Sequence, residues 1–176
     1  MYTKISAMKG KLLKYADYAD LVRSKRAYIS GDYFEDIKKI SRFFPKDKKV
    51  LECYGQKDFL GLIKQSAPLK IIAKAEIEAY NAGAIYRLKN FYEYKTEEIY
   101  PHLIPYKIDL QKTIDNPFEH RKKAYLKAKK LYPKSIATSL HYLFLKEIEI
   151  KNLIKVTQGI KQGINGEEII KNLVII

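Results

Sequence analysis

A phrase that the chain states twice limits its possible folds more than any single residue does. Glu76-Ile77-Glu78-Ala79-Tyr80-Asn81 returns as Glu147-Ile148-Glu149-Ile150-Lys151-Asn152, at an offset of 71 residues. Glu97-Glu98-Ile99 with Leu103 returns as Glu167-Glu168-Ile169 with Leu173, at an offset of 70. Between these anchors both copies carry a basic amphipathic stretch and then a short polar break. Self-similarity over roughly thirty residues with one slip reads as a duplicated supersecondary unit. The phrase contains no nucleophile, metal cluster or phosphate loop. The question therefore moves from what the chain catalyses to what it holds.

Hydrophobic spacing is helical almost throughout. Ile136, Leu140, Leu143, Phe144, Ile148, Ile150, Leu153, Ile154 and Ile160 recur mainly at steps of three and four, which predicts a long helix with its apolar stripe on one face. Pro133 is placed to open it, since a missing N–H costs nothing in a first turn, and Gly163 to close it. Asn165 then predicts an N-cap for a helix from Gly166 to Ile176, with Glu167 and Glu168 in its first turn. The earlier copy reads the same way. Pro68 opens a helix through to about Tyr92, Thr96 caps a short one, and Pro101 limits its length.

A weaker third echo runs from Ala7 to Val22, as though the chain had been opened inside a helix with its partner at the other terminus. Asp32 predicts a cap for a helix from Tyr33 to Phe44, residues 46–66 predict short helices broken near Gly55, and Asn116-Pro117 starts a helix to Leu131. The expected architecture is all-α: one domain of two to three repeated helical hairpins packed as a bundle, with units near 1–45, 68–105 and 133–176. A chain of 176 residues suffices for such a core, since at this size roughly 70% of the unfolded surface is buried.

Candidate chemistry is sparse. His102, His120 and His141 are far apart and flank no cysteine or carboxylate pair at metal-ligand spacing, and His141 reads as a core histidine. Lone Cys53 matches no catalytic signature and requires no oxidising compartment. Neither G-x-x-x-x-G-K-[ST] nor G-x-G-x-x-G occurs. No cofactor or metal is expected, and no enzyme. The Glu-x-Glu pairs do not share a site, because residues two apart on a helix point about 200° apart. A structural reading assigns Glu76 and Glu147 to ion pairs with basic side chains of neighbouring helices. It gives Asn81 and Asn152 the role of polar ties fixing register.

With 34 Lys and Arg against 20 Asp and Glu, the formal charge is +14, which admits nucleic acid, an anionic membrane or an acidic protein as partner. A lysine-rich composition raises the charge without any function, and that bland reading stands beside the others. The densest run is His120 to Lys134, with Arg121, Lys122, Lys123, Lys127, Lys129, Lys130 and Lys134 as a candidate basic interaction face. Phosphates, lipid headgroups or an acidic groove all suit it, as does plain solvation. Six lysines to one arginine, and no accompanying helix-turn-helix, zinc or RNP-like pattern, weigh against nucleic acid. No stretch reaches the roughly 18–20 apolar residues of a membrane span, and no signal segment opens the chain. A soluble intracellular protein is expected, with peripheral membrane association open.

Several of these residues also carry a family resemblance. Met8-Lys9-Gly10-Lys11-Leu12-Leu13 followed by Asp17-Tyr18 and Leu21 resembles the opening of a family of V-type and A-type rotary ATPase subunits, the d-type, known in archaea as C-type. Tyr142 to Leu153, then Gly159, Gly163 and Glu167-Glu168-Ile169, is similar to its closing segment. Glu76 to Asn81, with Arg87-Leu88-Lys89 and His102-Leu103-Ile104-Pro105, resembles an internal copy. The resemblance implies a helical, non-catalytic connector on the cytoplasmic face of a membrane, seated on the rotor ring and receiving the central stalk. Members are usually markedly longer, by about one internal unit. The chain is then a compact variant, a paralogue outside the ATPase, or a protein that completes itself by self-association. A basic helical module for nucleic acid or anionic lipid is the alternative.

Overall fold

The computed structural model describes residues 12–24, 33–43, 45–108 and 114–174, apart from the side chains of 15, 33–36 and 43. Nine α-helices and no strand occur among them: α1 (Tyr15–Ser24), α2 (Tyr33–Phe43), α3 (Lys48–Gly55), α4 (Phe59–Ile63), α5 (Ala67–Phe91), α6 (Thr96–Ile99), α7 (Pro117–Leu131), α8 (Ala137–Lys161) and α9 (Gly166–Lys171). The fold is all-α. Met8 to Lys11 and the expected cap Asp32 lie outside the described residues. The chain divides into two compact units, one of residues 46–138 and one of residues 1–45 with 139–176.

In the unit of residues 46–138, α5 packs against α4 and α7. Leu51, Tyr54, Leu62, Ile72, Ala73, Ile77, Tyr125 and Ala128 are buried in this unit. Pro68 lies in the first turn of α5, where its ring pre-sets helical φ. Asn116 caps α7, its Oδ1 accepting the Glu119 N–H at 3.0 Å, and Asp58 caps α4 through the Gly61 N–H at 2.9 Å. The α5–α6 turn differs slightly from expectation. Lys95, not Thr96, precedes α6, because the Glu98 carboxylate reaches back to the Lys95 N–H at 2.6 Å and closes the turn without a hydroxyl cap. A 3₁₀ turn through Pro101 follows. Ala84, Ile85, Ile99 and Leu103 form the small core of this hairpin, with Leu88 and Ile108 against it.

In the other unit, α1 packs with the hairpin of α8 and α9, so the two ends of the chain share one core. Tyr18 and Val22 meet Leu153, Val156, Ile169 and Leu173 there. Gly159 makes the approach possible: a Cβ at this position would lie 2.7 Å from Ile169 Cδ1. Gly163 takes φ +70°, and the Ile164 N–H returns to the Gly159 carbonyl at 3.0 Å, so α8 ends in a Schellman turn.

Three expectations about α8 and α9 need correction. The apolar stripe of α8 is not confined to one face: every side chain from Ser139 to Lys146 is buried, as in a helix enclosed all round, and Ile154 is 49% exposed. Pro133 does not start α8. It sits in the preceding turn, while Ser135 Oγ accepts the Ala137 N–H at 3.2 Å. Finally, α9 stops at Lys171 rather than running to Ile176, because the chain beyond it is bonded to the side of α8.

Candidate functional site

Two asparagines stand at similar places in two helices of equal length. Asn81 is in the middle of α5 and buried; its Nδ2 donates to the Ile104 carbonyl at 3.0 Å while its Oδ1 accepts the Ile104 N–H at 2.9 Å. Asn152, fully buried in α8, does the same with Val174: Nδ2 to the carbonyl at 2.8 Å, and the N–H to Oδ1 at 3.0 Å. A carboxamide carries donor and acceptor in one plane, so it pairs with a residue's backbone as a neighbouring strand would. Each clamp fixes the chain leaving a short helix against the long helix before it. The local cause is spacing: the clamped residue lies 23 positions after Asn81 and 22 after Asn152.

The repeated glutamates part company. Glu76 is buried and accepts from Arg121 Nε at 2.9 Å, with a second guanidinium nitrogen at 2.8 Å, and hydrogen-bonds Tyr125 Oη at 2.7 Å. Tyr125 Oη is also 2.7 Å from Tyr54 Oη. Since a carboxylate only accepts, Tyr125 donates to Glu76 and takes the Tyr54 hydroxyl proton in turn. Burial holds the Tyr125 phenol well above its usual pKa, with the Tyr54 and Glu76 oxygens adding to the rise. Glu78, two residues on, pairs with His120 Nε2 at 2.8 Å.

In the second phrase the order inverts. Glu147 is partly exposed and pairs with Lys151 of its own helix at 2.9 Å. Glu149 is the buried member, 2% exposed, bonded to Lys146 Nζ at 2.7 Å and near the Leu13 N–H that leads into α1, at 3.4 Å. The clamp is common to both hairpins, and the carboxylate partners are not.

The basic run divides by direction. Arg121 turns inward to Glu76, and Lys122 is half-buried between Glu119 (3.7 Å) and the Phe118 ring. Lys129 is half-buried as well. Lys123, Lys127 and Lys130 are exposed at steps of four and three, which makes one outward stripe on α7, and Lys134 follows exposed in the next turn.

The remaining chemical groups are quiet. His141 is buried, and burial with Asp58 nearby pushes the Cys53 thiol up, away from the thiolate that nucleophilic chemistry needs. Among the described residues no group of His, Cys, Asp and Glu is arranged to hold a metal ion. Sequence reasoning missed Tyr54, Tyr125, Glu149 and a set of exposed aromatic rings at the α5–α6 turn. The last carried a signal in the spacing of Tyr86, Phe91, Tyr92 and Tyr94. These rings break an amphipathic pattern that would otherwise have ended in polar residues.

Comparison with known proteins gives one match. Residues 106–172, spanning α7, α8 and α9, match the family of the ATP synthase (C/AC39) subunit. No curated protein and no solved structure matches the chain.

Proposed function

We propose that this chain is a non-catalytic stalk subunit of a rotary V/A-type ATPase, or a compact paralogue of one, coupling the membrane rotor ring to the central stalk. The observation that carries this reading is the match at residues 106–172, in the same family that the separate sequence motifs at Glu76 to Asn81 and at Met8 to Leu21 resemble. The geometry is compatible with such a role. A part that transmits torque must resist shear between its helices, and two hairpins each locked by a double hydrogen bond do so at low cost in mass. No helix among the described residues is long and apolar enough to cross a membrane, which suits a peripheral partner of the rotor ring. The proposed place is the cytoplasmic face, with self-association a further proposed contact.

The test is co-purification. A tag on the chromosomal copy, followed by mild detergent extraction, is expected to bring down rotor-ring and central-stalk proteins, and their consistent absence would remove the reading. The lysine stripe of α7 favours a second reading, a module for nucleic acid or anionic lipid. The two separate on salt. Binding to a nucleic acid or to phosphatidylserine vesicles that collapses between low and moderate salt, and weakens in Lys123→Glu/Lys127→Glu, supports the second.

A further inference from the structure

The two clamped hairpins end differently, and the difference is not required by the fold. The α8–α9 turn is small and polar, with Gly163 at its apex and Ile164 as its one exposed large apolar side chain among the described residues. The end of α5, the α5–α6 turn and the 3₁₀ turn after α6 carry Tyr86 (61% exposed), Phe91 (70%), Tyr92 (65%), Tyr94 and Tyr100. Half of the large apolar and aromatic side chains left exposed among the described residues thus fall within residues 86–100. At roughly 150–250 Å² per aromatic side chain, each between 38% and 70% exposed, the five together expose on the order of 500 Å² within fifteen residues of chain. Apolar patches of that size on a monomer are often functional.

The rings are also held in place without being buried. Tyr86 and Phe91 meet edge to face with centroids 6.1 Å apart, as do Tyr92 and Tyr94 at 6.2 Å, and Tyr94 lies 5.6 Å from the His102 ring. A fixed ring loses little freedom on binding, which is why such aromatics dominate interfaces. Position adds to this. α7 runs antiparallel to α5 from the level of Glu78, while α5 continues thirteen residues further to Phe91, about 20 Å.

Charge selects the occupant. In a chain of +14, residues 86–100 are balanced: Arg87, Lys89 and Lys95 against Glu93, Glu97 and Glu98. A surface for nucleic acid or anionic lipid would concentrate the chain's excess of cations at its rings, and this one does not. A second copy brings another +14 body to a patch smaller than the roughly 800 Å² per partner of a stable interface. A narrow aromatic tip on a cationic body fits a cleft instead. We propose that the α5–α6 tip docks its rings into an apolar cleft of a partner protein whose surface is net acidic. This inference stands apart from the stalk reading.

Photo-crosslinking tests it in the full chain. Benzoylphenylalanine is placed at position 91 or 92, and at position 132 as an exposed control, in cells of the source organism. The expected result is one protein adduct from positions 91 and 92 and none from 132. The adduct is identified by mass and its protein purified. Its binding then falls tenfold or more for Phe91→Ala/Tyr92→Ala, whose helicity is unchanged, but not for Tyr132→Ala. Adducts only with a second copy, nucleic acid or lipid, a basic partner protein, or labelling no stronger than at 132, would overturn it. If the tip labels an acidic protein while rotor-ring and stalk proteins never co-purify, the stalk reading fails and the inference stands. If the chain co-purifies with the ATPase while the tip labels nothing, the reverse holds.

Discussion

The α5–α6 and α8–α9 hairpins make the same pair of hydrogen bonds from the same residue type and surround it differently. At Asn81 the clamp closes over a small core, and the helices run on into solvent as an aromatic tip. At Asn152 it sits beneath Tyr18 of α1, in the core that joins the two ends of the chain, and the tip is trimmed to a glycine turn. One hairpin is therefore held as an arm and the other as a keystone. Polar ties of this kind set register, and the neighbours decide what that register is used for.

The contrast is sharpest at the carboxylates. Glu76→Ala takes the buried carboxylate away from Arg121 and the Tyr125 hydroxyl, and a loss of about 3–5 kcal/mol in chemical denaturation is expected. Glu147→Ala, at the matching sequence position, removes a partly exposed i,i+4 pair with Lys151 and should cost under about 1 kcal/mol. Equal losses would mean that the two phrases are energetically equivalent. Next come the clamps. Asn152→Ala and Asn81→Ala each orphan one N–H and one carbonyl, for roughly 2 kcal/mol. The loss at Asn152 should be the larger, since that side chain is fully buried. Amide exchange at Val174 and Ile104 reports each clamp separately.

Smaller effects follow at the tips. Gly163→Ala places a Cβ in left-handed backbone and should cost about 1 kcal/mol, read as a lowered Tm. Phe91→Ala should shift stability by less than about 0.5 kcal/mol, because the ring contributes to binding rather than to the core. A large loss there would make the arm a structural element. The smallest effect near neutral pH, and the last to emerge on titration, concerns the phenols. Burial pushes Tyr18 up to about 12, the Glu149 carboxylate adding to the rise and the Asn152 side chain opposing it. The unfolded chain therefore ionises first, and stability holds below about pH 10 and falls from there toward about 12. Tyr18→Phe should flatten that fall, measured as denaturation midpoints across the range.

Much of this was legible beforehand, for physical reasons. Helical spacing, proline at helix starts and glycine at Gly163 are local signals, and the elements follow them to within a few residues. The asparagines stood out because their phrase recurs. What escaped depends on direction. A run of seven cations does not say which one faces inward, and Arg121 does so only because α7 packs antiparallel on α5. Likewise Glu147 and Glu149 are exchanged in burial by a rotation of α8 that no pattern of identities records. The stripe on α8 misleads because a helix enclosed on all sides needs no stripe. Tyrosine, apolar in body and polar at its tip, hid the arm's exposed face.

The central claim is that this chain couples a rotor to its stalk without chemistry of its own. Membrane vesicles from cells lacking it test that claim most directly, with ATP hydrolysis and the resulting ion gradient measured on the same preparation. Hydrolysis that persists while the gradient fails, with the gradient restored by the wild-type chain, is the predicted result. Vesicles that build a normal gradient without it would contradict the account.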